Sequence, residues 1–204
     1  MRIQNDLNTL GLSLSTEQCD QLSWLVDTHL KWNQTFNISA YRDETAVVRY
    51  QIMDSLSVHP WIGSGSLLDV GTGPGFPGLP LAICNPSLPV TLLDSNDKKL
   101  AFARHVAAVL QLKNVQILHR RIEDVPTTTQ FEQIISRAFT DLSGMISKTL
   151  PLLADLGQIL AMKGARVEAE VADAAQTHPN CCIEVHQVPH VVDEHRVLAV
   201  IKRI

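Results

Sequence analysis

The chain has 204 residues, of which 45% are hydrophobic and 19% charged, and its formal net charge is −4. This length allows one full hydrophobic core with a small addition, and the composition is ordinary for a globular protein. No apolar run approaches the roughly 20 residues of a membrane span, and the four cysteines lack zinc-site spacing. The first residues lack a signal-peptide pattern. We therefore expect a cytoplasmic protein without a membrane segment or a metal.

Residues 1–62 predict helices and no strand. Ser15 and Gln18 match a capping box at the start of one helix. Asp43 is a suitable cap for another, which Pro60 ends. We expect a helical N-terminal extension over residues 1–62, followed by a main domain over residues 63–204.

From residue 66 onward, predicted strands alternate with predicted helices, which favours right-handed βαβ units and a mostly parallel sheet. About seven residues join the last two strands, too few for a crossover helix, so these strands should pair antiparallel. A mostly parallel seven-stranded sheet that ends in an antiparallel hairpin is typical of class I methyltransferases. The predicted strands are 66–70, 89–94, 115–119, 132–137, 157–163, 183–188 and 196–202; the predicted helices between them are 78–84, 97–111, 141–153 and 166–176.

The first two predicted strands each carry an acid at or next to their last residue. Asp69 lies at the end of the first and is followed by Gly71, Gly73 and Gly75, whose backbones can turn sharply and approach a ligand closely. Asp94 ends the second strand, about 20 residues beyond the glycines, where an acid is well placed to bind ribose hydroxyls. These strand ends predict a site for an adenosine-containing cofactor.

Two cofactor classes compete for the glycine segment. The spacing of Asp69 and the three glycines matches S-adenosylmethionine (SAM) methyltransferases, whereas Gly73-x-Gly75-x-x-Gly78 also matches the dinucleotide fingerprint of NAD and FAD proteins. The fingerprint begins three residues after the strand, and Pro77 lacks the N–H group that a diphosphate would need. SAM is therefore favoured. Gly71 and Gly73 would pack against its methionine part, and Ile122 and Glu123 would flank its adenine.

The fourth predicted strand restricts the substrate. It lacks the Asn/Asp-Pro-Pro-aromatic motif of amine methylases, and no cysteine nucleophile for pyrimidine C5 chemistry lies near it. This leaves a substrate atom that is already nucleophilic, such as guanine N7, which needs orientation and electrostatic stabilisation rather than a strong base.

Several motifs together resemble the RsmG (GidB) family of bacterial 16S ribosomal RNA guanine-N7 methyltransferases. The resemblance covers essentially the whole chain, and its most specific part is GTGPGFPG followed by SRAF. The motifs are residues 32–33, 37–39, 54–55, 69–78, 92–95, 121–123, 136–139 and 162–164.

The resemblance implies that the chain binds SAM and acts on 16S rRNA or the small ribosomal subunit. It implies SAM contacts for Gly71, Phe76, Ile122, Glu123 and Arg137, and active-site roles for Arg121, Arg137 and Lys163. Arg137 and Lys163 suit anion binding better than proton transfer. One position departs from the family, since Gln51 stands where a histidine is usual.

Two alternatives to an rRNA methyltransferase remain open. The first is a SAM-dependent methyltransferase of small molecules, and the second is a SAM-binding protein that binds RNA or the ribosome without catalysis. We expect a monomer. Local basic clusters could contact RNA despite the negative net charge; they are Lys98–Lys99 with Arg104, residues 119–121, Lys163 with Arg166, and Lys202–Arg203.

Overall fold

A computed structural model describes residues 3–164, 167–189 and 196–204. The N-terminal part is helical, as predicted. It contains α1 (Gln4–Thr9), α2 (Thr16–Phe36), α3 (Glu44–Val47), a π-helix (Val48–Met53), α4 (Asp54–Leu56) and a 3₁₀ turn (His59–Trp61).

Both predicted helix caps of this part are confirmed. The Ser15 side chain accepts a hydrogen bond from the Gln18 backbone, and the Gln18 side chain accepts one from the Ser15 backbone. The Asp43 side chain accepts from the backbone of Ala46 and begins α3. The helix predicted to begin at Asp43 is not a continuous α-helix, however, because a π-helix separates α3 from α4.

The remaining elements form one sheet with helices on both faces. The strands are β1 (Leu67–Val70), β2 (Val90–Asp94), β3 (Val115–His119), β4 (Phe131–Arg137), β5 (Leu153–Lys163), β6 (Cys181–Gln187) and β7 (Val197–Arg203). The helices are α5 (Gly78–Cys84), α6 (Asp97–Val109), α7 (Leu142–Thr149) and α8 (Val167–Thr177), with 3₁₀ turns at Ile122–Asp124 and Leu150–Leu152.

The strand order is β3-β2-β1-β4-β5-β7-β6. Strands β1 to β5 pair in parallel, and β7 pairs antiparallel with both β5 and β6. The predicted fold class is therefore confirmed. Because the chain runs from β1 to one side of the sheet and returns to the other side at β4, a crevice opens between the carboxyl ends of these two strands.

Two hydrophobic clusters cover the two faces of the sheet. Alternate residues of β1 divide between them, with Leu67 in the first cluster and Leu68 in the second. The first cluster includes residues of α2, α5 and α6, and the second includes residues of α7 and α8. The N-terminal helices therefore share a core with the sheet. The boundary at residue 62 stays a prediction.

One predicted helix is too long. The sequence pattern favoured a helix over residues 141–153, but α7 ends at Thr149 and β5 begins at Leu153. Pro151 explains the difference, because it has no N–H group to continue an α-helix and instead lies in a 3₁₀ turn. Arg166 and most of the predicted connection between the last two strands lie outside the described residues.

Candidate functional site

Two cavities lie along the carboxyl-terminal edge of the parallel strands. The small cavity, of about 300 Å³, is formed by residues that follow β1, β2, β3 and β4. The large cavity, of about 790 Å³, is formed by residues that follow β4 and β5, together with Tyr41, Asp54 and Arg196. Ala138 and Phe139 line both cavities and form the dividing segment between them.

Asp69 organises the glycine segment from inside the protein. Its side chain is fully buried, and Oδ2 accepts hydrogen bonds from Thr72 Oγ1 at 2.6 Å and Gly78 N at 2.8 Å. Burial raises the pKa of Asp69 to about 6, although these two bonds and the charge of Arg137 oppose the rise. Asp69 lines neither cavity, so any effect on a cofactor would act through the loop it holds.

Gly71 brings the backbone to the small cavity. Its φ angle is +68°, a conformation that favours glycine, and its N–H donates to Leu93 O at 2.8 Å. A Cβ atom here would lie 3.1 Å from Phe139 Cδ2. The missing side chain therefore allows the dividing segment to approach β1 closely.

Gly73 and Asp94 connect the first two strand ends. The Gly73 N–H donates to Asp94 Oδ2 at 2.7 Å, and the Asn96 N–H donates to Asp94 Oδ1 at 2.7 Å. Asp94 also lines the small cavity. Each oxygen of a carboxylate accepts more than one hydrogen bond, so these contacts leave Asp94 able to accept from ligand hydroxyls.

Gly75 and Phe76 support the loop from the core. A Cβ at Gly75 would lie 2.3 Å from Leu79 Cδ1, so the loop packs tightly on its own helix there. The Phe76 side chain is buried and contacts His29 edge to face, with ring centroids 5.8 Å apart. Neither residue lines the two cavities.

The far side of the small cavity carries the predicted adenine-flanking residues. Ile122 is buried, and Glu123 is exposed and forms an ion pair with Lys148 at 2.5 Å. The hydrogen bond from Lys148 lowers the pKa of Glu123. Lys148 Nζ also lies 5.7 Å from the centroid of the Phe139 ring. This lysine, which the sequence reasoning missed, connects the cavity rim to the dividing segment.

The three predicted catalytic residues do not lie together. Arg121 is exposed and lines the small cavity, whereas Arg137 and Lys163 line the large one. The Lys163 Nζ donates to Thr140 O at 2.6 Å and forms an ion pair with Glu170 at 2.7 Å.

Arg137 is the centre of a network that reaches back to the N-terminal helices. Its guanidinium donates to Tyr50 O at 2.7 Å, to Asp54 Oδ2 at 2.9 Å and to the Gln51 side chain. Asp54 is 1% exposed and also accepts from Arg196 Nε at 3.2 Å. The π-helix supplies two partners of this network, since the Tyr50 carbonyl and the Gln51 side chain both accept from Arg137.

The network also accounts for Gln51 and Ser55. Gln51 is buried and accepts a hydrogen bond from Arg137, which a neutral amide does at any pH. Ser55 donates to the backbone of its own helix. Arg196 was missed because nothing in its local sequence indicates that β7 begins beside β5.

The described residues contain no group of three or more metal-binding side chains, and none of their helices could span a membrane. The four cysteines are free, with Cys181 buried and Cys182 exposed.

Comparisons with known proteins agree with this architecture. A model of the GidB family, described as rRNA small subunit methyltransferase G, matches residues 18–199. The chain is 44% identical to a "Ribosomal RNA small subunit methyltransferase G" of Marinobacter nauticus over 84% of this chain and 80% of that one. It is 37% identical to the protein of that name from Neisseria gonorrhoeae over 99% and 98% of the two chains.

The fold also resembles solved structures at low sequence identity. A SAM-dependent methyltransferase from Aquifex aeolicus superposes with a TM-score of 0.58 at 16% identity, over 84% of this chain and 96% of that one. Such a likeness bears on the fold alone, and the fold is that of the class I methyltransferases.

Proposed function

Because this chain belongs to the GidB family of small-subunit rRNA methyltransferases, we propose that it transfers a methyl group from SAM to N7 of a guanine in 16S ribosomal RNA. The observation that carries this proposal is the pair of cavities that meet at Ala138 and Phe139. A transferase needs a donor site and an acceptor site that share a boundary, because the methyl group must cross it in one step.

The small cavity suits the donor. Its volume lies at the lower end of the range for ligand pockets, roughly 300–1,000 Å³. Asp94 would bind the ribose hydroxyls, Ile122 and Glu123 would flank the adenine, and Gly71 would pack against the methionine part. Asp69, Gly73, Gly75 and Phe76 would hold the loop in the conformation that SAM requires. SAM supplies an electrophilic methyl group when bound.

The large cavity suits the acceptor. The N7 lone pair of guanine attacks without prior deprotonation, so this site needs no general base. Methylation leaves a positive charge on the purine ring. The cavity contains acidic as well as basic side chains, among them Asp141 and Asp173, and their carboxylates would stabilise this charge. Arg121, Arg137 and Lys163 are proposed to bind or orient anionic groups, with Arg137 acting from its network.

We propose that the substrate is 16S rRNA, alone or within the small ribosomal subunit, and that the protein acts in the cytoplasm. We expect a bacterial strain that lacks this protein to lose one 7-methylguanosine from 16S rRNA and to regain it on complementation. Mapping by chemical cleavage at 7-methylguanosine tests this expectation. Identical cleavage patterns in the two strains would contradict the proposal.

A further inference from the structure

A base that leaves its RNA stack needs a new surface on which to stack. Enzymes that modify a single base commonly provide an aromatic side chain for this purpose. Among the described residues that line the large cavity, two carry a phenyl or phenol ring: Tyr41 and Phe139.

Phe139 lies at the boundary between the two cavities. It lines both of them, lies 3.1 Å from where a Cβ on Gly71 would stand, and has the Lys148 ammonium group 5.7 Å from its ring centroid. Its ring therefore closes the donor side. Tyr41 belongs to the large cavity and is absent from the small one.

Tyr41 is held in place by its own loop. The Asn33 side chain donates to Tyr41 O at 2.6 Å, and Tyr41 N donates to Ser39 Oγ at 3.2 Å. Asn33 is buried and also accepts from the Ser39 backbone at 2.9 Å. These hydrogen bonds hold the loop between α2 and α3, and the half-buried Tyr41 side chain packs against the first hydrophobic cluster while it lines the large cavity.

The orientation of the Tyr41 ring is also fixed. It stacks on Tyr50 with centroids 5.1 Å apart and an interplanar angle of 7°. The backbone of Tyr50 is in turn bound by Arg137, whose Nη1 donates to its carbonyl at 2.7 Å. The two stacked rings are therefore connected to the end of β4, next to the dividing segment. A pre-oriented ring binds a planar ligand at a lower entropic cost than a mobile one.

We propose that Tyr41 is the residue on which the target guanine stacks in the large cavity, with Tyr50 as the second ring of the platform. The inference rests on the proposed function, because it requires an RNA base as the acceptor. It assigns a substrate contact to the N-terminal part of the chain.

Steady-state methylation of unmethylated small ribosomal subunits tests the proposal, with Tyr41→Phe, Tyr41→Leu and Tyr41→Ala compared with wild type. We expect Tyr41→Phe to keep activity within about threefold. Tyr41→Leu and Tyr41→Ala should lower kcat/KM for the subunit by about 10- to 100-fold, the range for one lost base–aromatic stack. Leucine fills much of the same volume without an aromatic face, so it separates stacking from packing. The KM for SAM should not change.

Phe36→Ala is a matched control, because Phe36 is a 58% exposed aromatic of the same helical region that lines neither cavity. It should keep wild-type kcat/KM. Equal activity of Tyr41→Ala and wild type, or a loss in Tyr41→Leu that is matched by weaker SAM binding, would overturn the inference alone. A wild-type protein that forms no 7-methylguanosine in 16S rRNA would overturn the proposed function and this inference with it.

Discussion

At the scale of single residues, two buried titratable groups make the free energy of unfolding depend on pH, and their effects have opposite signs. His29 is completely buried between Phe76 and Phe102, and neither ring nitrogen has a hydrogen-bond partner among the described residues. Burial lowers its pKa from 6.5 to about 4, whereas burial raises that of Asp69 from 3.8 to about 6. Both groups are thus favoured in their neutral forms.

The two groups change stability in opposite directions. The neutral His29 contributes fully above about pH 6.5, and this contribution is lost as the pH falls toward 4, because the unfolded chain takes up its proton first. The protonated Asp69 contributes fully below about pH 3.8, and this contribution is lost as the pH rises through 6. Between these limits the two effects partly cancel.

Replacing His29 should remove its part of the pH dependence of the free energy of unfolding. In His29→Leu, the free energy of unfolding should increase relative to wild type as the pH falls from about 7.5 to about 5, since the acid-sensitive group is gone. Urea denaturation at the two pH values measures the difference. A gap between variant and wild type that is the same at both pH values would argue against a neutral buried histidine.

Arg137 has a structural role that a purely catalytic reading would overlook. Its side chain is 20% exposed, and it is a partner of the buried Asp54 carboxylate. Arg196 would remain beside Asp54, so removal of Arg137 costs the hydrogen bonds to a charged group, about 2 kcal/mol, rather than leaving the carboxylate unpaired. Arg137→Ala should therefore lower the free energy of unfolding by about this amount as well as abolish methyl transfer.

Arg121 provides the comparison for Arg137, because it is an exposed arginine at the other cavity. Arg121→Ala should change the unfolding free energy by less than about 0.5 kcal/mol. Denaturant titrations of both variants give the two values. Equal stabilities would show that the network around Asp54 contributes little.

At the scale of elements, the sequence predicted all seven strands. It also predicted that most of them are parallel and that the last two pair antiparallel. The glycine segment and the acids of β1 and β2 were recognisable from local sequence. Each apolar strand pattern stops at or next to an acid, and glycines that permit a sharp turn follow the first. Helix α5 was predicted with its observed bounds, and the antiparallel end of the sheet followed from one short connection.

Other elements depend on contacts distant in sequence. No local sequence signal indicates the π-helix over Val48–Met53, whose Gln51 side chain accepts from a guanidinium 86 residues further along the chain. The early start of β5 reflects Pro151 and pairing of Leu153 with Phe131. Among the site residues, Tyr41 and Arg196 could not be predicted, since the side chains meet only after the sheet and the N-terminal helices have packed.

The contact between α5 and β2 offers an element-scale prediction. A Cβ at Gly78 would lie 2.2 Å from Leu92 Cδ2 and 2.8 Å from Asp69 Oδ2. Gly78→Ala should lower the free energy of unfolding by about 2 kcal/mol, because the helix must move away from the sheet. It should also weaken SAM binding, since the bond between Gly78 and Asp69 holds the glycine segment.

Gly63→Ala is the matched control. The Cβ there would meet its nearest neighbour, Gln133 Oε1, at 3.5 Å, which is an ordinary contact. Its stability should stay within about 0.5 kcal/mol of wild type. Thermal denaturation and calorimetric titration with SAM compare the two variants. Unchanged SAM affinity in Gly78→Ala would show that Asp69 does not act through this loop.

At the scale of the whole molecule, the N-terminal helices and the sheet are parts of one structure. Leu22 and Leu25 of α2 belong to the same hydrophobic cluster as Leu92 and Phe102. The extension also supplies Tyr41 and Asp54 to the large cavity. An enzyme without these helices would lack both part of its core and part of the proposed acceptor site.

A chain limited to residues 63–204 should therefore not fold cooperatively. The apolar surface that α2 covers on α5 and α6 would be exposed to water, and the net stability of a folded domain is small compared with its total hydrophobic burial. Far-UV and near-UV circular dichroism during thermal unfolding test this expectation. A sharp transition together with SAM binding would indicate that the main domain is independent of the extension.

The central claim is that the methyl donor and a guanine of 16S rRNA meet across Ala138 and Phe139. The most direct measurement incubates the purified protein with methyl-labelled SAM and small ribosomal subunits from a strain that lacks it, and then identifies the labelled nucleoside by mass spectrometry. The account predicts label in 7-methylguanosine at a single position of 16S rRNA. Label in any other nucleoside, or no label in RNA while the protein binds SAM, would contradict it.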